Sequence, residues 1–447
     1  MQKKPNDFTQ GPILRPLLAF TIPMLFAILL QNLYASVDVI MIGRFCTAAE
    51  VSAVVTGSQI IRMVTVMVTG LGTGTMVLLG QKVGKGDLSD AGDAAGSAMC
   101  LFGLGAVALS VLSVLGAPVL ARWMQAPAES FEAAVAYVRI CGAGCICMVA
   151  YNVLGSMLRG TGDSKTPLLA VAVACAANVV LDLLFVGVLS MGVTGVALAT
   201  VLAQLLSVVV TVALLRRKGL PFEIKRSQLR LRKNVIAQNM KIGLPLAAQD
   251  FLINYSFVAL TAIVNTLGVT ASAGVGVADK LSGFIMLLPA AFVQSMSAFV
   301  AQNAGAKQWE RAKKAMLCGM AVSALLSVPL SWLGFFRGEM LASLYSADAQ
   351  INQAAAQYLK AYAIDALLAS VVFCFVGYYS GCGETGFVMT QSLICAFGVR
   401  VPFAWLMSRL TGNVFLVGLA SPVCSAVQIV VCTIWFLRKQ QKNKKRA

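Results

Sequence analysis

Twelve apolar segments, each at least 21 residues long, recur along this 447-residue chain, and that recurrence limits its fold more than any other feature. They lie near 16–42, 52–78, 95–117, 133–155, 167–189, 193–215, 239–267, 271–300, 315–335, 354–378, 387–408 and 412–437. A helix needs roughly 20 residues to cross the hydrocarbon core of a bilayer. The segments at 95–117, 193–215, 315–335 and 412–437 contain no Asp, Glu, Lys or Arg. The expected fold class is an all-α integral membrane protein with twelve transmembrane helices. The first segment is too long for a cleavable signal peptide and lacks a small-residue cleavage site.

Composition supports this and excludes other classes. Only 12% of residues are charged, against about 25% in ordinary soluble domains. A cytosolic enzyme could not coat its surface with so little charge, and a disordered chain would not be 58% hydrophobic. The net charge of +17 sits in short tracts between apolar segments, such as Arg216–Lys218, Arg230–Lys233 and the last residues of the chain. That arrangement fits loops beside anionic lipid, so the bilayer is the expected partner and nucleic acid is not. There is no histidine, which removes imidazole metal sites and Ser-His-Asp catalysis. The twelve cysteines mostly lie within apolar runs, where they read as small packing residues.

Loop charge predicts orientation. Residues 1–15, 79–94, 156–166, 216–241, 301–314, 379–386 and 438–447 hold 26 Lys and Arg, while the alternate loops hold only Arg44, Arg122, Arg337 and Arg409. The positive-inside rule then places both termini in the cytoplasm.

The chain also repeats itself. Gly80-Gln81-x-x-Gly84 recurs as Ala301-Gln302-x-x-Gly305, and Gly160-x-Gly162-Asp163 as Gly381-x-Gly383-Glu384, both at an offset of 221. Pro23 matches Pro245 at 222. Six spans separate the copies, so both halves insert in the same direction, as parallel repeats do. The expected organisation is a six-helix bundle over 1–215, a basic cytoplasmic linker over 216–238, and a second six-helix bundle with a basic tail over 239–447.

Ionisable groups inside spans are costly and mark functional sites. The acids are Asp38, Asp182, Asp250, Asp279 and Asp365; the bases are Arg62, Arg139, Lys280, Lys360 and Arg400. Asn178 and Asp182 stand four apart, on one helical face, where carboxylate and amide oxygens can converge on a proton or a hard cation. The blander reading, polar glue between helices, is less economical for an ionisable group. Asp250 and Asp365 are the candidate acids of the second half, and Arg62 and Arg139 are expected to pair with carboxylates or face an aqueous cleft. Gly70-x-Gly72-x-Gly74 follows no strand and is read as a helix-packing surface rather than a nucleotide loop. No P-loop is present, so an ion gradient or the substrate's own gradient must drive any transport.

Six segments in order give the chain a resemblance to the multidrug and toxic compound extrusion (MATE) transporters. They are QNLYASVDVIMIG from Gln31, GQKVGKGD from Gly80, LRGTGDSKTP from Leu158, NVVLD from Asn178, MKIGLP from Met240 and AQNAGAKQWERAKKA from Ala301. The resemblance implies two six-helix bundles around a V-shaped cavity in a prokaryotic plasma membrane. It further implies export of amphipathic, often cationic compounds in exchange for H⁺ or Na⁺, by a chain that functions as a monomer with no other cofactor and no catalytic residues. Carried over, the cation site, including any Na⁺ site, falls on Asp38, Asn178, Asp182 and Thr200. Gln31, Arg62, Asp250, Asp279 and Asp365 are the candidate cavity residues. The rival cargo is a lipid-linked oligosaccharide or peptidoglycan precursor moved by a flippase of related fold. A membrane enzyme is disfavoured, because no soluble domain or metal-ligand cluster is evident.

Overall fold

The computed structural model describes residues 7–444, excluding the side chains of residues 34–36, 38, 39 and 442–444. Among the described residues there is no β-strand. The helices are α1 (Leu14–Phe45), α2 (Ala48–Lys85), α3 (Leu88–Trp123), α4 (Phe131–Ala143), α5 (Cys145–Gly160), α6 (Lys165–Asp182), α7 (Gly192–Lys218) and α8 (Lys233–Asn265). There follow α9 (Val269–Ile285), α10 (Leu287–Gly305), α11 (Trp309–Phe336), α12 (Gly338–Ala342), α13 (Ala349–Gly381), α14 (Thr385–Cys395), α15 (Val401–Thr411), α16 (Val414–Gly418) and α17 (Ala420–Lys444). Among the described residues, ten stretches are each long and apolar enough to cross a membrane, and counting each bent helix pair as one span makes twelve. Large apolar side chains such as Leu112, Leu115 and Val188 are exposed, as they are on a surface solvated by lipid.

Local chemistry explains where the helices begin, bend and end. Thr47 and Glu50 form a capping box at the start of α2. Gly86 closes α2 with φ +79°, and Asp87 then accepts from the Asp90 N–H to start α3, so two residues suffice for that turn. The two bends have separate causes. Between α9 and α10 the chain turns by 43°, and Pro289, lacking an N–H, cannot bond the Ile285 carbonyl there. Between α4 and α5 it turns by 47° at Gly144, where a Cβ would meet Val201 Cγ2 at 2.4 Å.

Packing divides the chain into two compact units. One comprises Ile22–Ala247 with the described residues before Gly11; the other comprises Gly11–Thr21 and everything from Ala248 onward. The start of α8 therefore packs in the first unit and the start of α1 in the second. In the first unit, a Cβ on Gly70 would meet the Ala247 Cα at 2.5 Å, and one on Gly74 the Gly243 Cα at 2.7 Å. The glycine run is thus a helix-packing surface, and Asn239 donates to Thr75 Oγ1 across the same seam at 3.0 Å. In the second unit, Arg311 Nη1 donates to the Gly11 carbonyl at 2.7 Å.

The 221-residue repeat persists in atomic detail. A Cβ on Gly160 would meet the Met76 carbonyl at 2.7 Å, and one on Gly381 the Ser297 carbonyl at 2.7 Å. Gly162 and Gly383 both adopt positive φ, +88° and +81°. Asp163 pairs with Lys218 at 3.6 Å, and Glu384 pairs with Lys439 at the same offset. The lysine partner comes in both halves from the end of the sixth span of the repeat.

Candidate cation site

In the first unit, α6 runs unbroken to Asp182 and then widens into a π-helical turn over Leu183–Val188. Such turns insert one extra residue into the helical register and often accompany functional sites. Asn178 and Asp182, one turn apart, are both completely buried at the end of the regular helix. The Met191 N–H donates to the Phe185 carbonyl at 2.9 Å, fastening the start of α7 to the end of α6. Counted back from that bond, Asn178 and Thr200 each lie roughly two turns away along their helices, at similar depth. Thr200, 9% exposed, donates its hydroxyl proton to the Val196 carbonyl at 3.0 Å. Its oxygen lone pairs remain available to a proton donor or a hard cation.

The first helix passes alongside. Cys175 Sγ reaches the Leu30 carbonyl at 3.5 Å. Position 38 is eight residues beyond Leu30, and position 182 seven beyond Cys175, on spans that cross in the same direction. The backbone of α1 at 38 therefore reaches about the level of Asp182. The Asp38 side chain itself lies outside the described residues. Gln31 is exposed on α1 and hydrogen-bonds Tyr151 of α5.

Tyr151 belongs to a polar strip that sequence reading missed. Thr69 Oγ1 lies 3.4 Å from Asn152 Oδ1, and Arg159 donates to Ser156 Oγ at 2.8 Å, with its Nε unpartnered. The available signal was a Tyr-Asn pair and an arginine inside or bordering an apolar run. Arg62 and Arg139 are exposed and form no ion pair among the described residues, so no carboxylate pairing supports the first of the two expectations for them.

The second unit is built differently. Asp365, 8% exposed on α13, accepts from Ser425 Oγ at 2.6 Å. Arg400 lies within electrostatic reach of Asp365, packs 4.4 Å above the Phe257 ring and donates to Ser256 Oγ at 3.1 Å. A second π-helical turn, Ala396–Arg400, follows α14. This turn lies earlier in the repeat than the first, at the positions of residues 175–179, and Val399 and Phe403 stand at the positions of Asn178 and Asp182. Asp250 and Asp279 are exposed; Asp279 lies within electrostatic reach of the packed Tyr358–Tyr362 pair, whose ring centroids are 5.3 Å apart. The oxygen-rich pairing of carboxylate and amide is a property of the first unit.

The profile of the MatE family matches residues 23–184 and 245–406. Among curated proteins, the chain is 27% identical to the probable multidrug resistance protein YpnP of Bacillus subtilis, covering 92% of each. It is 26% identical to a FAD transporter of Shewanella oneidensis, covering 78% of each. Its fold superposes on a MOP superfamily transporter from Pyrococcus furiosus with a TM-score of 0.91 at 20% identity, over 98% of each chain.

Proposed function

The chain belongs to the MatE family of membrane transporters, and from that membership we propose a secondary antiporter exporting amphipathic, cationic drugs or metabolites in exchange for H⁺ or Na⁺. The observation that carries the coupling is the buried Asn178–Asp182 pair, one turn apart, with Thr200 at similar depth on the adjoining helix. A carboxylate in that position is costly while charged, and occupation by H⁺ or Na⁺ removes the cost. Asn178 and Thr200 supply neutral oxygens to orient the cation, and Asp38 is the proposed second carboxylate. Occupancy then biases one conformational equilibrium in one sense while substrate biases it in the other, which is the requirement for exchange. Both termini face the cytoplasm in this reading, and one chain is the working unit.

One observation favours a second reading. Arg159 makes no ion pair among the described residues and neighbours Tyr151, which Gln31 hydrogen-bonds, a surrounding suited to an anionic group on the cargo. The Shewanella relative is named for an anionic nucleotide, and the Pyrococcus structure is described as having a binding pocket of reversed polarity. A flippase of phosphorylated lipid-linked precursors belongs to that alternative.

Proteoliposomes separate the two. Efflux of a fluorescent organic cation should accelerate under an imposed Na⁺ or pH gradient and stop when the gradient is collapsed. Tighter binding of anionic dyes than of ethidium-like cations would transfer the assignment to the anionic cargo. Gradient-independent lipid scrambling would transfer it to the flippase.

A further inference from the structure

The first unit contains a second polar feature, remote from Asp182 along the chain and on the side of the basic loops. The linker between α7 and α8 folds down onto α3 over two glycines. A Cβ on Gly92 would meet Gln228 Oε1 at 2.8 Å, and one on Gly96 the Gln228 carbonyl at 2.3 Å. Ser97 Oγ donates to the Arg230 carbonyl at 2.9 Å, and Gln228 Nε2 to the Ser89 carbonyl at 3.2 Å, so the linker is held in place. Beside this contact lies a cavity of about 480 Å³ lined by Lys82, Asp90, Asp93, Arg230, Arg232 and Lys233.

Four basic against two acidic side chains leave the cavity with an excess of two positive charges. Lys82 pairs with Asp90 at 2.6 Å and Arg232 with Asp93, while Arg230 and Lys233 are exposed and make no ion pair among the described residues. Within the Arg232–Asp93 pair, the donor Arg232 Nε and the acceptor Asp93 Oδ1 are buried without a hydrogen-bond partner among the described residues. Asp93 as a whole is only 7% exposed. Both atoms are enclosed and belong to side chains already paired with each other, so the charges left open to a ligand are those of Arg230 and Lys233.

The fold does not require this chemistry. At the 221 offset the other half has Asn303 for Lys82, Arg311 for Asp90 and Lys314 for Asp93. Lys313 and Leu317 replace the two notch glycines. Both the notch and the charge pattern belong to the first half alone.

We infer that this cavity binds a phosphate ester. The phosphate is held by the exposed Arg230 and Lys233, while the Lys82–Asp90 and Arg232–Asp93 pairs form the wall beside them. A phosphoglycerol lipid headgroup and a soluble polyol phosphate share that chemistry. Basic pockets at the ends of membrane helices are suited to anionic headgroups.

The test uses the full-length protein in detergent and native mass spectrometry, with phosphatidylglycerol, phosphatidylcholine and free glycerol phosphate as probes. Arg230→Gln/Lys233→Gln removes only exposed side chains, and an unchanged melting temperature verifies its fold. The wild type should retain one phosphatidylglycerol at least tenfold more tightly than phosphatidylcholine, and the double variant should lose that preference. Displacement of the lipid by glycerol phosphate, or binding of glycerol phosphate alone, assigns the cavity to a soluble ligand; resistance to it assigns the cavity to the headgroup. The inference fails if neither phosphatidylglycerol nor glycerol phosphate binding depends on Arg230 and Lys233.

Discussion

Asp182 and Asp365 are both buried carboxylates, but their neighbours differ in kind. Asp365 already accepts a hydroxyl proton from Ser425 and lies in the field of Arg400, which compensates its charge without any bound cation. Asp182 instead shares a helical face with the Asn178 amide, and Thr200 lies at about the depth of Asn178 on the adjoining helix, neutral groups that can ligate but not neutralise. Asp182→Asn should therefore abolish gradient-driven efflux, Asp38→Asn should come close to doing so, and Asp365→Asn should reduce it less. One charge moving down a potential of 100 mV supplies roughly 2.3 kcal/mol, worth about fiftyfold in accumulation, and that factor should vanish with Asp182. Full coupled transport by Asp182→Asn at normal expression would make the pair structural. The pair was legible in sequence because spacing alone puts residues 178 and 182 on one face. Asp250 and Asp279 look equivalent in a hydropathy profile, yet both are exposed, since composition records that an acid lies in a span and not which face carries it.

Helices carry information that hydropathy discards. The number and order of the spans follow from apolar length, whereas the bends at Gly144 and Met286 and the two π turns depend on individual hydrogen bonds. Pro289 offered a local signal for one bend; the π turns left none, because one extra residue in a turn does not alter the apolar pattern. The glycine run of α2 was readable as a packing surface, but its partner at the start of α8 was not. This gives opposite signs for one substitution. At Gly276 of α9 an added Cβ meets nothing within 4 Å, so Gly276→Ala should stabilise the helix by about 1 kcal/mol. At Gly70 the same methyl meets backbone atoms at 2.5 Å, so Gly70→Ala should cost about 1–3 kcal/mol through overpacking. Melting of the purified protein in detergent should rise slightly for the first and fall by several degrees for the second. A rise for Gly70→Ala would show that the α2–α8 seam yields easily.

At the scale of the whole chain, duplication and charge bias are the two facts that sequence displays most openly. The duplication extends to paired details, since Asp163–Lys218 and Glu384–Lys439 recur at one offset although the second loop lacks the basic residues of the first. A motif search compares loops with loops, so it could not find a lysine delivered by the end of another helix. The docking of the linker escaped for a similar reason: Gly92 and Gly96 read as ordinary helix glycines until Gln228 is seen against them. Charge bias, in contrast, makes a prediction that does not depend on any contact. One set of loops holds 26 Lys and Arg and the alternate set four. Near an anionic leaflet each such residue contributes about 1 kcal/mol, so inverting the chain would forfeit many times the thermal energy. Arg226 lies in the linker and Arg337 at the far end of α11, and both are exposed. With the twelve native cysteines replaced, Arg226→Cys should react with an impermeant maleimide only in inverted vesicles, and Arg337→Cys only from outside intact cells. The opposite pattern would reverse the topology. The proposed coupling would then have to run with the cation entering from the other side, and the basic cavity beside the linker would face the outer leaflet.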